Sequence, residues 1–242
     1  MKIDFSKFAA GGADLSFLPP ALLGRIVFRH RAPSAPPLPP GRHHLEVAAE
    51  RDTLLVVPEG LYAHTPVPLL VLFHGASGHP SQMLHFFENY AHEHRFLLMT
   101  PQSTMVTWDL SLAGHGPDLD RLEKALMKVA THFTLLPEKL GLAGFSDGAS
   151  YALSVALSNG DWVSHAMVLS GGYMNVYKPT GKPMVFIAHS PEDEQLPIDT
   201  SGRKHAKILK DSGYDVAYHE FSGHHAIYPA VVEKAMAFFL PK

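Results

Sequence analysis

Lys139 to Phe145 (KLGLAGF) is an apolar, strand-like run that leads into Gly144-Phe145-Ser146-Asp147-Gly148, and Ser146 to Ser158 continues as a helix of mainly small residues. A strand that becomes a helix within so few residues brings backbone against backbone. Glycine two before and two after the serine removes the Cβ atoms that would collide there. The serine is lifted on a sharp turn above the sheet edge. The start of the helix aims its amides, and the positive end of its dipole, at the space beside the hydroxyl. The plainer alternative is a tight strand–helix turn in which Ser146 only caps the helix.

The rest of the chain alternates in the same manner. Pro68 to Phe73 (PLLVLF), Phe96 to Thr100, Ala166 to Leu169, Met184 to Ala188 and Val216 to Glu220 read as strands. The first of these is apolar on both faces, as a central parallel strand requires. Between them, Pro80 to His94, Pro117 to Phe133, a stretch near 200 to 212 and one near 229 to 240 read as helices. Met83, Phe86, Phe87 and Tyr90, and then Leu119, Leu122, Leu126 and Val129, recur at helical spacing. His44 to Ala48 and Thr53 to Val57 read as an early hairpin or edge pair, and 101–116 as a loop. Strands alternating with helices predict an α/β fold with a mostly parallel central sheet and helices on both faces. Residues 170–183 leave no room for a large lid domain.

With 242 residues, 46% of them hydrophobic and 18% charged, the chain suits one large domain over residues 41–242. Residues 1–40 differ: Ala32 to Gly41 (APSAPPLPPG) reads as an extended proline-rich connector, giving an N-terminal extension. The net charge of −3 provides no basic field for nucleic acid. The first residues (MKIDFSKFAAGGADLSF) lack the apolar core of a signal peptide, and no apolar run is long enough to span a bilayer. The expectation is a cytoplasmic protein without a membrane partner, with a homodimer left open beside a monomer. Absence of cysteine excludes disulfides and a thiolate nucleophile. The 17 histidines include no helical i, i+4 pair of the metal-binding type, so no metal is expected.

A serine hydroxyl needs a histidine base, and the base needs a carboxylate to fix its tautomer. In the fold class that such a strand–turn–helix marks, acid and then histidine follow the serine in the chain. The strand Met184 to Ala188 runs out into His189-Ser190-Pro191-Glu192-Asp193-Glu194. Asp193 is the first choice for the acid, with Glu192 and Glu194 as rivals and Asp161 and Asp199 behind them. After the last strand come Ser222-Gly223-His224-His225, where two adjacent histidines compete for the base. Two backbone amides should hold an oxyanion: that of Asp147, and that of Ala76 in the His74-Gly75-Ala76-Ser77-Gly78 loop. His74 reads as a loop organiser and, with Trp108 and Asp109, as a substrate-pocket candidate; for Trp108 and Asp109 a purely structural place in the loop after Phe96 to Thr100 is the equal alternative.

At these residues the chain resembles the esterase and phospholipase/carboxylesterase-like branch of the α/β hydrolases, including poly-hydroxybutyrate-depolymerase-like sequences. The resemblance runs through LLVLFHGASG (69–78), TWD (107–109), GPDLDRLEKAL (116–126), LGLAGFSDGASYALSVALSNGD (140–161), IAHSPEDEQLPID (187–199) and YHEFSGHHAIYPAV (218–231). It implies an acid in a pattern like H-G-x-x-D-x-x-x-P, which His189, Asp193 and Pro197 match while Ser190 replaces the glycine. It implies a base in G-G-H-x-I/V-x-P, which selects His225 and leaves His224 in a glycine position. The function so implied is a serine esterase acting on small-molecule carboxylic esters of small or medium acyl groups through Ser146, His225 and Asp193, with no cofactor. A thioesterase or peptidase would use the same triad, and a non-catalytic binding protein would keep the fold alone.

Overall fold

The computed structural model describes residues 19–29, 31–62, 64–112 and 115–240. Its sheet has eight strands in the order β1-β2-β4-β3-β5-β6-β7-β8. They are β1 (Gly41–His44), β2 (Leu54–Val57), β3 (Val67–Phe73), β4 (Leu97–Thr100), β5 (Leu135–Phe145), β6 (His165–Leu169), β7 (Met184–His189) and β8 (Val216–Glu220). β1 and β2 are antiparallel additions at one edge, and β3 to β8 run parallel. The helices among the described residues are α1 (Pro80–His94), the single turn α2 (Asp109–Leu112), α3 (Pro117–His132), α4 (Asp147–Ser158), α5 (Gly202–Asp211) and α6 (Pro229–Phe239). Two short 3-10 turns, Pro20–Leu23 and Ile198–Thr200, accompany them.

Residue alternation along the strands divides the core in two. Leu69, Val71 and Phe73 of β3 face one way, onto Leu119, Leu122 and Leu126 of α3, Tyr151 and Val155 of α4 and Leu209 of α5. Leu70 and Leu72 face the other way, onto Met83 and Phe87 of α1 and Val232, Met236 and Phe239 of α6. Central strands are therefore apolar on both sides, and each side must carry helices. α1 starts as its sequence dictates: His79 caps it by accepting from the Ser81 amide, Gln82 closes the box onto the His79 amide, and Pro80 occupies the first turn.

Three early expectations change. The first hairpin pairs Gly41–His44 with Leu54–Val57, and residues 45–53 are a connection rather than strand. Glu46 and Arg51 turn the chain at positive φ, and the Asp52 carboxylate accepts the Glu46 and Val47 amides. β5 begins at Leu135, because its first residue pairs with Val67. The 101–116 loop contains α2, whose Asp109 and the following Asp118 accept each other's amides.

Residues 19–29 and 31–40 lie on this body, while residues 1–18 are outside the described range. Ile26 and Phe28 are buried in the core, where each such side chain contributes roughly 1.5–3 kcal/mol. Asn159 at the end of α4 donates to the Gly24 carbonyl and accepts from the Ile26 amide. Ser34 and Ala35 donate to the Thr131 carbonyl at the end of α3. No helix of the described residues is long and apolar enough to cross a membrane.

Buried histidines set the acid response of this fold. Burial pushes His115, His165 and His205 down to about 4, from about 6.5 when exposed in an unfolded chain. Between those values the unfolded chain binds more protons, so their contribution to stability is lost as pH falls. Asp109 acts the other way, because burial raises its carboxyl to about 6 and the folded state holds that proton more tightly. Burial raises the Asp118 carboxyl as well, but it also lowers the His74 and His189 imidazoles, so the imidazoles outnumber the carboxyls. The urea midpoint is expected to drop between pH 7 and pH 5, and a flat or rising midpoint would contradict this assignment.

Candidate active site

Ser146 stands between β5 and α4 with φ 56° and ψ −120°, a conformation that residues with a Cβ rarely adopt. The neighbours leave it no choice. A Cβ on Gly148 would lie 2.3 Å from the Phe73 and His74 carbonyl oxygens, and one on Gly144 would lie 2.4 Å from the Gly148 carbonyl. The Ser146 amide donates to the Leu169 carbonyl at 2.9 Å, tying the turn to the end of β6. Because β3 to β7 are parallel, the loops after β3, β4, β6 and β7 open on this same edge.

The structure brings Ser146, His225 and Asp193 together. Ser146 Oγ is 2.8 Å from His225 Nε2, and His225 Nδ1 is 2.6 Å from Asp193 Oδ2. A carboxylate at Nδ1 fixes the proton there, which leaves Nε2 to accept from the serine hydroxyl. Both the His225 and Asp193 side chains are almost wholly buried, at 4% and 0% exposure. The Phe145 ring packs on the imidazole, 4.8 Å between centroids. Asp193 Oδ1 accepts the Gln195 and Leu196 amides at 3.0 and 2.8 Å. Burial alone would raise the Asp193 carboxyl, but the hydrogen bonds from His225 and the two amides outweigh it and hold it below the usual carboxylate range.

Of the four rivals, Glu192 is exposed and the other three carboxylates face partners elsewhere. Asp161 pairs with Arg25, Asp199 with Arg203, and Glu194 faces His224 at 3.5 Å. His224 is exposed, so its side chain fits where the family pattern has glycine. The tight position is Gly223, at φ 142° beneath the Tyr228 ring, whose hydroxyl accepts the His224 amide. Ser190, in the other departure from the pattern, is fully buried and its hydroxyl accepts the Glu192 amide, closing the turn that presents Asp193.

The three pocket candidates are corrected. His74 and Trp108 are each 1% exposed and Asp109 is 8% exposed, so none faces a ligand. His74 Nε2 accepts the Ser103 amide, its Nδ1 lies against the Gly75 carbonyl, and Trp108 Nε1 donates to the His74 carbonyl. Burial lowers the His74 imidazole, which keeps it neutral as an internal hydrogen-bonding strut. Trp108 also stacks on Tyr151 at 4.9 Å, and Asp109 caps α3 through the Gly116 and Asp118 amides. These residues hold the loops; they do not line the cleft.

Two contributors escape a reading of the sequence. His189 Nε2 donates to the Leu196 carbonyl at 2.8 Å and stands 3.3 Å from Asp193 Oδ2. Burial lowers its imidazole, so a neutral ring braces the acid. Its presence in the pattern around Asp193 was the available signal. Asp147 is the second: its carboxylate accepts from Thr107 and Ser111 hydroxyls, the Trp108 amide at 3.2 Å and the Tyr173 hydroxyl at 3.2 Å. Three of those donors come from the loop after β4 and one from the loop after β6. Among the described residues no cluster of three or more His, Asp or Glu could hold a metal ion.

Comparison with known proteins adds the context of this geometry. No family model matches the chain. Acyl-protein thioesterase 1 of Gibberella zeae is 30% identical over 114 residues, which cover 43% of this chain and 48% of that protein. The chain thus spans about half the length of this curated relative. Among solved structures, the propionate-bound esterase Est2 of Thermogutta terrifontis superposes with a TM-score of 0.66 at 17% identity, over 84% of this chain and 96% of that one. The Bacillus cereus carboxylesterase gives 0.63 at 17%, over 79% and 94%. This chain has the α/β-hydrolase fold. In this α/β-hydrolase scaffold the serine, acid and histidine stand after β5, β7 and β8.

A proton held between His225 Nδ1 and a buried carboxylate gives a far-downfield proton resonance. Asp193→Ala is expected to abolish it and Glu194→Ala to leave it, measured by proton NMR of the folded variants. A resonance that survives Asp193→Ala would remove Asp193 from the hydrogen bond.

Proposed function

We propose that this chain is a serine hydrolase that cleaves carboxylic esters of small or medium acyl groups, with Ser146 as nucleophile, His225 as base and Asp193 as its orienting acid. The observation that carries this reading is the continuous pair of hydrogen bonds, 2.8 Å and 2.6 Å, from hydroxyl through imidazole to carboxylate.

The chemistry follows from those contacts. Ser146 Oγ attacks the ester carbonyl carbon while its proton passes to His225 Nε2, and the carbonyl electron pair moves onto oxygen. The Asp147 amide, first in α4, and the Ala76 amide hold that oxyanion, each such donor contributing about 3 kcal/mol of transition-state stabilisation. The exposed Ala76 follows Gly75, where a side chain would meet Ser146 Cβ at 3.4 Å, so its loop borders the nucleophile. Collapse of the intermediate breaks the carbon–oxygen bond to the alcohol, which leaves with the proton from His225. Water then gives a proton to Nε2, attacks the acyl-enzyme, and the acid departs as Ser146 recovers its proton. Asp193 stays ionised throughout and steadies the imidazolium. The short connection from β6 to β7, without a helix, supports an open site for small esters.

A thioester is the second substrate reading, supported by the partial match to acyl-protein thioesterase 1. The same residues serve both, because only the leaving group changes. Matched oxygen and thio esters of one acyl group, compared by kcat/KM, decide between them.

Ser146→Ala is expected to lower turnover of p-nitrophenyl butyrate by on the order of 10⁴ or more, with the urea midpoint preserved. A fluorophosphonate probe should label Ser146 in the wild type and nothing in the variant. Folded wild type that takes no label would make the fold a binding scaffold instead.

A further inference from the structure

The Asp147 carboxylate lies beside the nucleophile, and its surroundings are unusual in one respect. The Thr107, Ser111 and Tyr173 hydroxyls all turn their protons toward it. The Thr107 and Ser111 hydroxyls donate to Oδ2 and Oδ1, and the Tyr173 hydroxyl approaches Oδ1 at 3.2 Å. Ser111 and Tyr173 oxygens are themselves 2.6 Å apart. The Ser111 proton is committed to the carboxylate, so the single Tyr173 proton is shared between Ser111 Oγ and Asp147 Oδ1. Burial and then the Asp147 charge raise the Tyr173 phenol, which keeps its proton in place. With all three protons turned inward, the outward sides of these groups offer only lone pairs. Among the described residues no lysine, arginine or histidine forms an ion pair with Asp147. Ser111 is exposed, and Asp147, Thr107 and Tyr173 are half-buried, so this anionic, acceptor-only wall reaches the solvent side.

Its position is set by topology. Ser111 comes from the loop after β4, Tyr173 from the loop after β6, and Asp147 from the turn after β5, all at the sheet edge that carries Ser146. Phe145 and His225 stack together next to the serine, while Asp147 on its other side in the chain reaches the Ser111–Tyr173 pair. We propose that Asp147, Ser111 and Tyr173 form a specificity wall that favours esters bearing a cationic or hydrogen-bond-donating group next to the scissile carbonyl and disfavours anionic ones. This rests on the hydrolase reading above and narrows its substrate class. A carboxylate several ångströms from a charged substrate group, in a half-buried site, is enough for about a tenfold preference in either direction.

The test compares charged esters with neutral isosteres on the wild-type protein. Choline butyrate is expected to exceed 3,3-dimethylbutyl butyrate by about tenfold in kcat/KM, and monomethyl succinate to fall below methyl butyrate by about the same factor. Both ratios should shrink in about 0.5 M sodium chloride, where exposed charge interactions are screened. In Asp147→Asn, whatever its overall rate, both should approach one. Ratios near one in the wild type, ratios indifferent to salt, or ratios that survive Asp147→Asn each overturn the wall. The salt series keeps the test decisive if the variant does not fold. Fluorophosphonate labelling separates the two levels: a labelled Ser146 without charge preference sinks the wall alone, and an unlabelled one sinks the hydrolase reading with it.

Discussion

Gly148 lies so near the Phe73 and His74 carbonyls that no side chain fits between α4 and the end of β3, and the rest of the site depends on that contact. It lets the nucleophile's helix start directly above the sheet. It forces the strained torsions of Ser146, a conformation that costs on the order of 1–3 kcal/mol and persists only where the surroundings over-determine it. They do so here from several sides. The Leu169 carbonyl takes the Ser146 amide, and the Ser150 hydroxyl donates back to the Ser146 carbonyl while accepting from the Gly172 and Tyr173 amides. The helix that carries the serine therefore also positions the loop after β6.

Charge is handled differently on the two sides of the serine. On the acid side, Asp193 is buried, supplied with two amides, and braced by a His189 ring that burial keeps neutral. A charged imidazole at 189 would compete with His225 for the same carboxylate oxygen. A neutral one spends its Nε2 proton on the Leu196 carbonyl and leaves the short bond from His225 to Asp193 intact. On the opposite side, the Asp147 carboxylate has no cation among the described residues and is satisfied by hydroxyls and an amide. One carboxylate is enclosed and oriented, the other half-open and free to act at a distance.

The parts of this arrangement that were legible in the sequence are those governed by local rules. Apolar runs gave the parallel strands, helical spacing gave α1 and α3, and the glycines around Ser146 marked the turn. Asp193 was chosen from its place after a strand and then supported by the family pattern, whereas His225 needed that pattern, because nothing local separates it from His224. The structure supplies the physical reason in the Tyr228 ring over Gly223, a contact formed five residues later in the chain. The structural reading of His74, Trp108 and Asp109 prevails over the pocket reading for one reason. Their loops lie at the site, but side-chain direction is decided by unsatisfied backbone groups, and these three turn inward to serve Ser103, the His74 carbonyl and the start of α3. The hydroxyl cluster around Asp147 draws on residues 107, 111 and 173, and no periodicity connects such positions.

Residues 19–29 and 31–40 are each joined to the body. Arg25 reaches the Ser158 carbonyl and Asp161, Asn159 grips Gly24 and Ile26, and the proline-rich stretch meets the end of α3, with Ser34 and Ala35 on the Thr131 carbonyl and His132 against the Pro36 carbonyl. This belt closes over the far ends of α3 and α4, the two helices that flank the nucleophile strand. A protease that nicked it would do more than trim a tail: Ile26 and Phe28 would leave an open apolar seam beside Trp162. Loss of the belt would thus bare core surface without parting any strand from its neighbour.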